Sequence, residues 1–193
     1  NPVAWNEETF GLNKTQSLRV HGSVMVEPIN GLRFKVLGST SHEEYLTGYS
    51  ESKKHITTVR DGLNGYASRS TAASNENLLE ITGEYNKAIG KNVFTLLGGY
   101  SYNDETGEDF FMDNYDFPTD AFSYNNMGSG NALLSGEASM TSYKSASKLI
   151  GFFGRVNYSF SEKYLLMASV RQEGSSRFGE NNQWGTFPAV SAG

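Results

Sequence analysis

The chain contains no cysteine, which excludes a disulfide framework, a thiolate metal knuckle and a thiol nucleophile. Positive charge is in short supply: 16 Lys and Arg stand against 21 Asp and Glu, for a net charge of -5. A protein that works by neutralising nucleic-acid phosphate needs the opposite balance, so no nucleic-acid partner is expected. Proline is scarce at 4 residues and tryptophan at 2, while Gly reaches 21, Phe 12 and Tyr 11, a bias toward strands and tight turns. No uninterrupted apolar run approaches the roughly 18 residues of a membrane helix, and mean hydropathy is -0.48. A membrane β-barrel hides its apolar residues at every second position and escapes that exclusion. The opening Asn1-Pro2-Val3-Ala4-Trp5 has no initiator Met, basic n-region or apolar h-region, so a signal peptide is absent, removed or upstream of a fragment. The 193 residues fit one domain or a tight pair.

What the chain does have is alternation with a period of two, the mark of a strand whose side chains point to opposite faces. From Ser17 to Glu27, Leu18, Val20, Val24 and Val26 share one face, and Arg19, His21, Ser23 and Met25 the other. Leu32, Phe34 and Val36 then alternate with Arg33 and Lys35, after Asn30-Gly31, a step suited to the positive φ of a hairpin turn. A second hairpin sets Leu79, Ile81 and Tyr85 beside Phe94, Leu96, Tyr100 and Tyr102, with its turn at Ala88–Asn92. A third pairs Ile150, Phe152, Val156, Tyr158 and Phe160 with Tyr164, Leu166, Ala168 and Val170 across Ser161-Glu162-Lys163. Six strands are legible, and a seventh is expected near Phe187.

Between these strands short turns alternate with three expected long connections: Glu44 to Asn75, Asn103 to Ala146, and Gln172 to Trp184. Loops longer than about 12–15 residues are uncommon in a compact soluble domain. An outer-membrane barrel predicts the asymmetry, with short periplasmic turns, long extracellular loops and strands of about 9–11 residues. The competing fold is a soluble β-sandwich, which shares the alternation but not the one-sided loops. Tyr158, Phe160 and Tyr164 at one end of their strands, and Tyr100 and Tyr102 at the other, suit the two aromatic girdles of a barrel or the core of a sandwich.

The last third carries motifs. Gly154-Arg155-Val156-Asn157-Tyr158, Lys163-Tyr164-Leu165-Leu166, Gly174-Ser175-Ser176-Arg177-Phe178-Gly179 and Trp184-Gly185-Thr186-Phe187-Pro188-Ala189-Val190-Ser191-Ala192-Gly193 follow one another in order. Together they resemble the barrel signature of the SusC/RagA-type TonB-linked outer-membrane proteins. Residues 1 to about 145 resemble that family in rhythm rather than in motif. The resemblance implies an all-β fold: an antiparallel transmembrane β-barrel wall segment over residues 1–193, cut from a barrel of about 22 strands with a plugged lumen. It further implies an outer-membrane location in contact with lipid, a SusD-like surface lipoprotein as lid, and TonB acting through a plug region that this sequence does not contain.

Catalytic chemistry is not expected. His21, His42 and His55 have no Ser or carboxylate at a motif spacing, His42-Glu43-Glu44 lacks the second His of a zinc-protease motif, and Gly128-Ser129-Gly130 lacks the strand, third Gly and acidic partner of a nucleotide loop. The Asn103–Ala146 connection is the candidate contact for substrate or lid, through Phe110, Phe111, Asp113, Tyr115, Asp116 and Phe117. Aromatic faces beside carboxylates hold the C–H and hydroxyl surfaces of sugars. The same residues equally suit a small core internal to the loop, and Asn103–Glu108 offers oxygens for calcium outside the EF-hand register. Arg19, Arg33, Lys35, Arg155 and Arg171 are expected to line the lumen, where charge is tolerated, contacting substrate or plug or pairing with wall carboxylates such as Glu80 and Glu84. Gly174, Ser175, Ser176, Arg177, Phe178 and Gly179 are expected to act as a structural staple, with Ser hydroxyls capping backbone and Arg177 bridging acceptors. The expected function is a segment of a TonB-dependent importer of glycans or peptides. A soluble carbohydrate-binding β-sandwich, or a barrel that serves as scaffold for other surface proteins, are the alternatives.

Overall fold

The computed structural model describes residues 2–193, with side chains from residue 5 onward. Seven strands form one antiparallel sheet in chain order: β1 Thr9–Ile29, β2 Leu32–Glu51, β3 Tyr66–Ile89, β4 Asn92–Tyr115, β5 Ser139–Phe160, β6 Tyr164–Ser175 and β7 Trp184–Ala192. A sandwich requires two packed sheets, and all seven strands lie in one. The helices are brief: α1 Pro2–Glu7, α2 Ile56–Asp61 and α3 Ala132–Ser135.

The expected hairpins are present, but β1 to β5 run well past the expected 9–11 residues, at 20 to 24, while β6 has 12 and β7 has 9. The long connections are correspondingly shorter, at residues 52–65, 116–138 and 176–183, and still alternate with tight turns. The seventh strand begins at Trp184 rather than near Phe187. The extensions carry no apolar alternation because polar groups stand on both of their faces. Side-chain pairs across neighbouring strands hold them instead, as where Lys144 Nζ donates to Glu108 Oε2 at 3.0 Å and Thr40 Oγ1 to Asn77 Oδ1 at 2.8 Å.

Two packing units divide the chain. The first comprises Asn1–Leu18, His42–Ser74 and Gly107–Ser145; the second comprises Arg19–Ser41, Asn75–Thr106 and Ala146–Gly193. The first holds a compact core of Ala67, Phe117, Tyr124 and Met127, with Met112 against it. The second is a bare sheet with both faces open, and its exposed apolar residues include Val24, Phe34, Val156, Val170 and Val190.

Turn chemistry sets the hairpins of the second unit. Gly31 has φ +84°, its N–H donates to Glu27 Oε1 at 2.9 Å, and a Cβ there would collide with the carbonyl oxygen of Asn86. The β5–β6 turn reaches the left-handed region without glycine, with Ser161 at φ 53° and Glu162 at φ 58°. Ser161 N–H donates to Lys91 C=O in the neighbouring turn at 2.8 Å.

Candidate functional site: a loop cluster and a two-faced wall

The first unit is built around a carboxylate. Asp116, at φ 58°, accepts from Asn64 Nδ2 at 2.7 Å through one oxygen and from Asn131 Nδ2 at 3.1 Å through the other, and its N–H donates to Leu63 C=O at 2.8 Å. Donation from Asn64, then from Asn131, holds its carboxyl below the usual carboxylate range. The connections 52–65 and 116–138 thus share one anchor. Asn114, fully buried, serves the same end: its Nδ2 donates to Met127 C=O at 2.8 Å and Gly130 C=O at 2.9 Å. Gly130 lies so close that a Cβ would stand 2.6 Å from Tyr115 O. His55, also fully buried, caps α2 by accepting from Thr57 N, and the ring of Trp5 meets it edge-on at 5.2 Å.

The expected loop candidates divide. Phe110, Phe111, Asp113 and Tyr115 belong to β4, a correction to their placement in a loop; only Asp116 and Phe117 lie in the connection. Phe117 is 5% exposed and packs in the loop core, Asp116 is the anchor, and Asp113 accepts from Ser139 N at 3.0 Å. Phe110 lines a groove of about 730 Å³ crossing β1–β5, with Leu46 and Ala73 beside it and Lys14, Glu44, Glu108 and Lys144 among its charged groups. A second recess, of about 490 Å³, has Phe10, Tyr66 and Phe122 among its walls and Glu8 and Asp120 among its carboxylates. Asn103–Glu108 run along β4, so their side chains alternate between faces. Among the described residues no group of three or more His, Cys, Asp or Glu is arranged to hold a metal.

In the second unit, register assigns the faces. Directly opposed residues of an antiparallel pair share a face. Val156↔Ala168↔Val190 and Tyr158↔Leu166↔Ala192 occupy one; Arg155↔Ser169↔Ala189 and Phe153↔Arg171↔Phe187 occupy the other. Two aromatic groups border the apolar face. Phe94 packs on Tyr158 at 4.9 Å and Phe160 on Tyr164 at 6.4 Å at the turn end; Tyr100, Phe152 and Trp184 form a row at the other, with centroids 5.2 and 6.4 Å apart. On the polar face Arg33 pairs with Glu27 at 3.3 Å and Glu84 at 3.8 Å, and Arg171 with Glu173 at 2.5 Å. Arg19 and Lys35 stand on β1 and β2.

The Gly174–Gly179 segment closes β6 onto its neighbours. Ser176 Oγ accepts from Lys148 N at 2.8 Å, Ser175 Oγ accepts from Arg177 N at 3.2 Å, and Arg177 reaches Glu105 Oε2 on β4 at 2.8 Å. Neither Gly174 nor Gly179 has positive φ, so special backbone conformation is not why glycine stands there. Gly174 is required by room, since a Cβ would lie 2.8 Å from Trp184 Cε2. Phe178 is 62% exposed. No spacing or motif marks Asn114 as organiser or His55 as cap. Both roles depend on neighbours distant in the chain or on a helix too short to show periodicity.

One continuous antiparallel sheet, apolar on one face between two aromatic borders and polar on the other, defines the wall of a membrane β-barrel. No protein-family model matches the chain. Comparison with curated proteins finds TonB-dependent receptor P3 of Formosa agariphila, 32% identical over 189 residues, 98% of this chain and 18% of the relative. TonB-dependent receptor SusC of Bacteroides thetaiotaomicron is 45% identical over 53 residues, 28% of this chain and 5% of the relative. Among solved structures, the RagAB peptide transporter superposes with a TM-score of 0.82 at 21% identity, covering 96% of this chain and 20% of that one. Over nearly its whole length the chain is thus similar to one part of a TonB-dependent receptor, and its sheet has the fold of the matching part of the RagAB transporter. It spans about a fifth of the length of the relative it matches over nearly its whole sequence, 18%.

Proposed function

We infer that the chain supplies seven of the strands of a TonB-dependent importer, with the apolar face toward lipid and the polar face toward the lumen. The two-faced wall carries this reading. Between its aromatic borders at Phe152 and Phe160, β5 advances about 27 Å at ~3.4 Å per residue, which at a barrel tilt of ~35–45° rises about 19–22 Å, close to an apolar barrel band about 25 Å tall. Buried on neither face, Val156, Val170 and Val190 stand at 44%, 48% and 74% exposure, and hydrocarbon is the solvent that makes such a stripe favourable. Arg155 and Arg171 on the other face then line the lumen, as Arg19, Arg33 and Lys35 do by alternation along their strands.

The anchored loops on the first unit form the outer surface, where a SusD-like lipoprotein closes over glycan or peptide cargo before TonB, pulling on the plug, opens a path. Phe110 beside its groove, and the acids and aromatics near it, are the cargo or lid contacts. The wall supplies passage and no energy coupling. The test is uptake by a strain lacking the full-length receptor gene, restored by the gene in trans, with a protease site inserted beside Gly136 in the same receptor. Cleavage there in intact cells, with none at Asn30-Gly31, supports the topology. The reverse pattern, or uptake unaffected by the deletion, rejects the reading.

A further inference from the structure

β5 outruns its neighbour. It pairs with β6 from Phe160↔Tyr164 to Leu149↔Ser175, where β6 ends, and Ser176 adds one last bond, from its N–H to Lys148 C=O at 2.9 Å. From Ser147 back to Ser139 the strand continues against β4 alone, as at the Lys144–Glu108 pair. Its other edge meets no strand among the described residues, and Ser139 to Ala146 are exposed throughout.

The ladder decides which groups that edge offers. In an antiparallel sheet a residue turns its N–H and C=O toward one neighbouring strand, and the next residue turns them toward the other. Lys148 points both of its groups to the β6 side: its N–H donates to Ser176 Oγ at 2.8 Å and its C=O accepts from Ser176 N–H. Counting back by twos, Ala146, Lys144, Ser142 and Met140 present their main-chain donors and acceptors to the open edge. Free edges of this kind are ordinarily guarded by proline, a bulge or several charges. Between Ser139 and Ala146 there is no proline, and Lys144 is the sole charge. Thr141 and Tyr143 favour the strand further.

We propose that Met140–Ala146 is the docking edge for an extended segment of a partner protein, which adds as a further strand beside β5 and places a carboxylate beside Lys144. Alternating main-chain donors and acceptors are complementary to an extended polypeptide backbone. A ligand in transit would leave the edge bare between visits, whereas an unguarded edge calls for a standing occupant. The Lys144 side chain is 72% exposed and its ammonium, bonded to Glu108 at 3.0 Å, has donors to spare for a second carboxylate. A second copy of the chain matches less well, because edge-to-edge pairing centred on Ser142 sets Met140 against Lys144 and brings no opposite charge. The proposal rests on the reading that this end of the wall lies at the outer surface.

The experiment uses the full-length receptor in detergent and, as probe, a short synthetic peptide of alternating valine and threonine with one central glutamate. Expected is binding that survives N-methylation of every second residue in one phase and is lost in the other, since only alternate N–H groups of an added strand face β5. Ser142→Pro removes a donor from the open edge and none from the β4 ladder, and should weaken binding about tenfold, while Ser142→Ala should not. Lys144→Glu should weaken it about two- to fivefold and be rescued by lysine in place of the peptide's glutamate. Heat-modifiability shows which variants are folded; if Ser142→Pro is not, the methylation phases decide alone. No binding, equal effects of the two phases, or full affinity in folded Ser142→Pro overturns the proposal. So does slow amide exchange at Met140, Ser142 and Lys144 in the receptor alone, which would put its own chain on the edge, or self-association abolished by Ser142→Pro, which would make a second copy the occupant. Labelling of Thr141→Cys by a membrane-impermeant maleimide in intact cells tests the surface reading separately. If the label is taken, a negative peptide result rejects the edge alone; if it is not, the surface reading itself falls.

Discussion

The carboxylate of Asp116 accepts a 2.7 Å hydrogen bond from the side-chain amide of Asn64, 52 residues earlier in the chain. With Asn131 on its second oxygen, it ties two surface connections to one point. Asp116→Ala should leave the sheet assembled while both connections become more open to limited proteolysis. Cleavage accelerated in only one of them would show that the other is held elsewhere.

The same contact has a pH dependence with a definite sign. Asp116 has a folded pKa lowered by its two amide donors. Its stabilising contribution is therefore complete above the unfolded carboxylate value of about 3.9 and disappears as pH falls through the lowered folded value. Protease protection of residues 52–65 and 116–138 should be flat from neutrality to about pH 4 and decline only below it. A midpoint near neutrality would assign control to another group.

The faces of β5 can be separated by one residue. Val156→Arg places a charge on the apolar face and, near the bilayer midplane, should destabilise by about 2–4 kcal/mol, whereas Asn157→Arg on the opposite face should be mild. Unfolding of the full receptor in lipid vesicles measures both. Equal losses would mean that the two faces meet the same solvent.

Two turn glycines differ in an informative way. Gly31 and Gly90 both have positive φ, +84° and +60°, but only at Gly31 would a Cβ meet the backbone, at Asn86; nothing lies within 4 Å of the other. Gly90→Ala should cost the conformational strain alone, about 1–2 kcal/mol. Gly31→Ala should cost more and loosen β2 from β3. Equal denaturation midpoints for the two variants would contradict the steric account.

Arg177 and Glu105 have side chains 65% and 51% exposed, so their ion pair contributes no more than about 1 kcal/mol. Arg177→Ala should modestly lower the amount of heat-modifiable barrel in the outer membrane without altering affinity in the protein that assembles. Normal assembly with a large loss of affinity would make Arg177 a ligand contact.

The sheet was legible in the sequence where its two sides meet different surroundings. Val20, Val24, Phe34, Val156 and Val170 alternate with polar residues, and their hairpins lie where that alternation places them. Beyond that stripe the rule falls silent. Residues 103–115 are strand, but Asp104, Glu105, Glu108 and Asp109 look like loop because water suits both faces and only backbone pairing and charge pairs such as Lys144–Glu108 fix the conformation. The loop core was half legible: the aromatic content predicted either a contact surface or an internal core, and Phe117 and Tyr124 took the second role. Asn114 was illegible, since an asparagine that closes a loop through main-chain carbonyls 13 and 16 residues away has no spacing to betray it.

The bond from Ser161 N–H to Lys91 C=O joins two successive hairpins through main-chain atoms alone. Evolution can therefore rewrite the side chains at both positions while keeping the joint, provided the left-handed backbone survives. Proline at 161 would remove the donor. Relatives compared letter by letter would show drift at this seam even where its geometry is inherited intact.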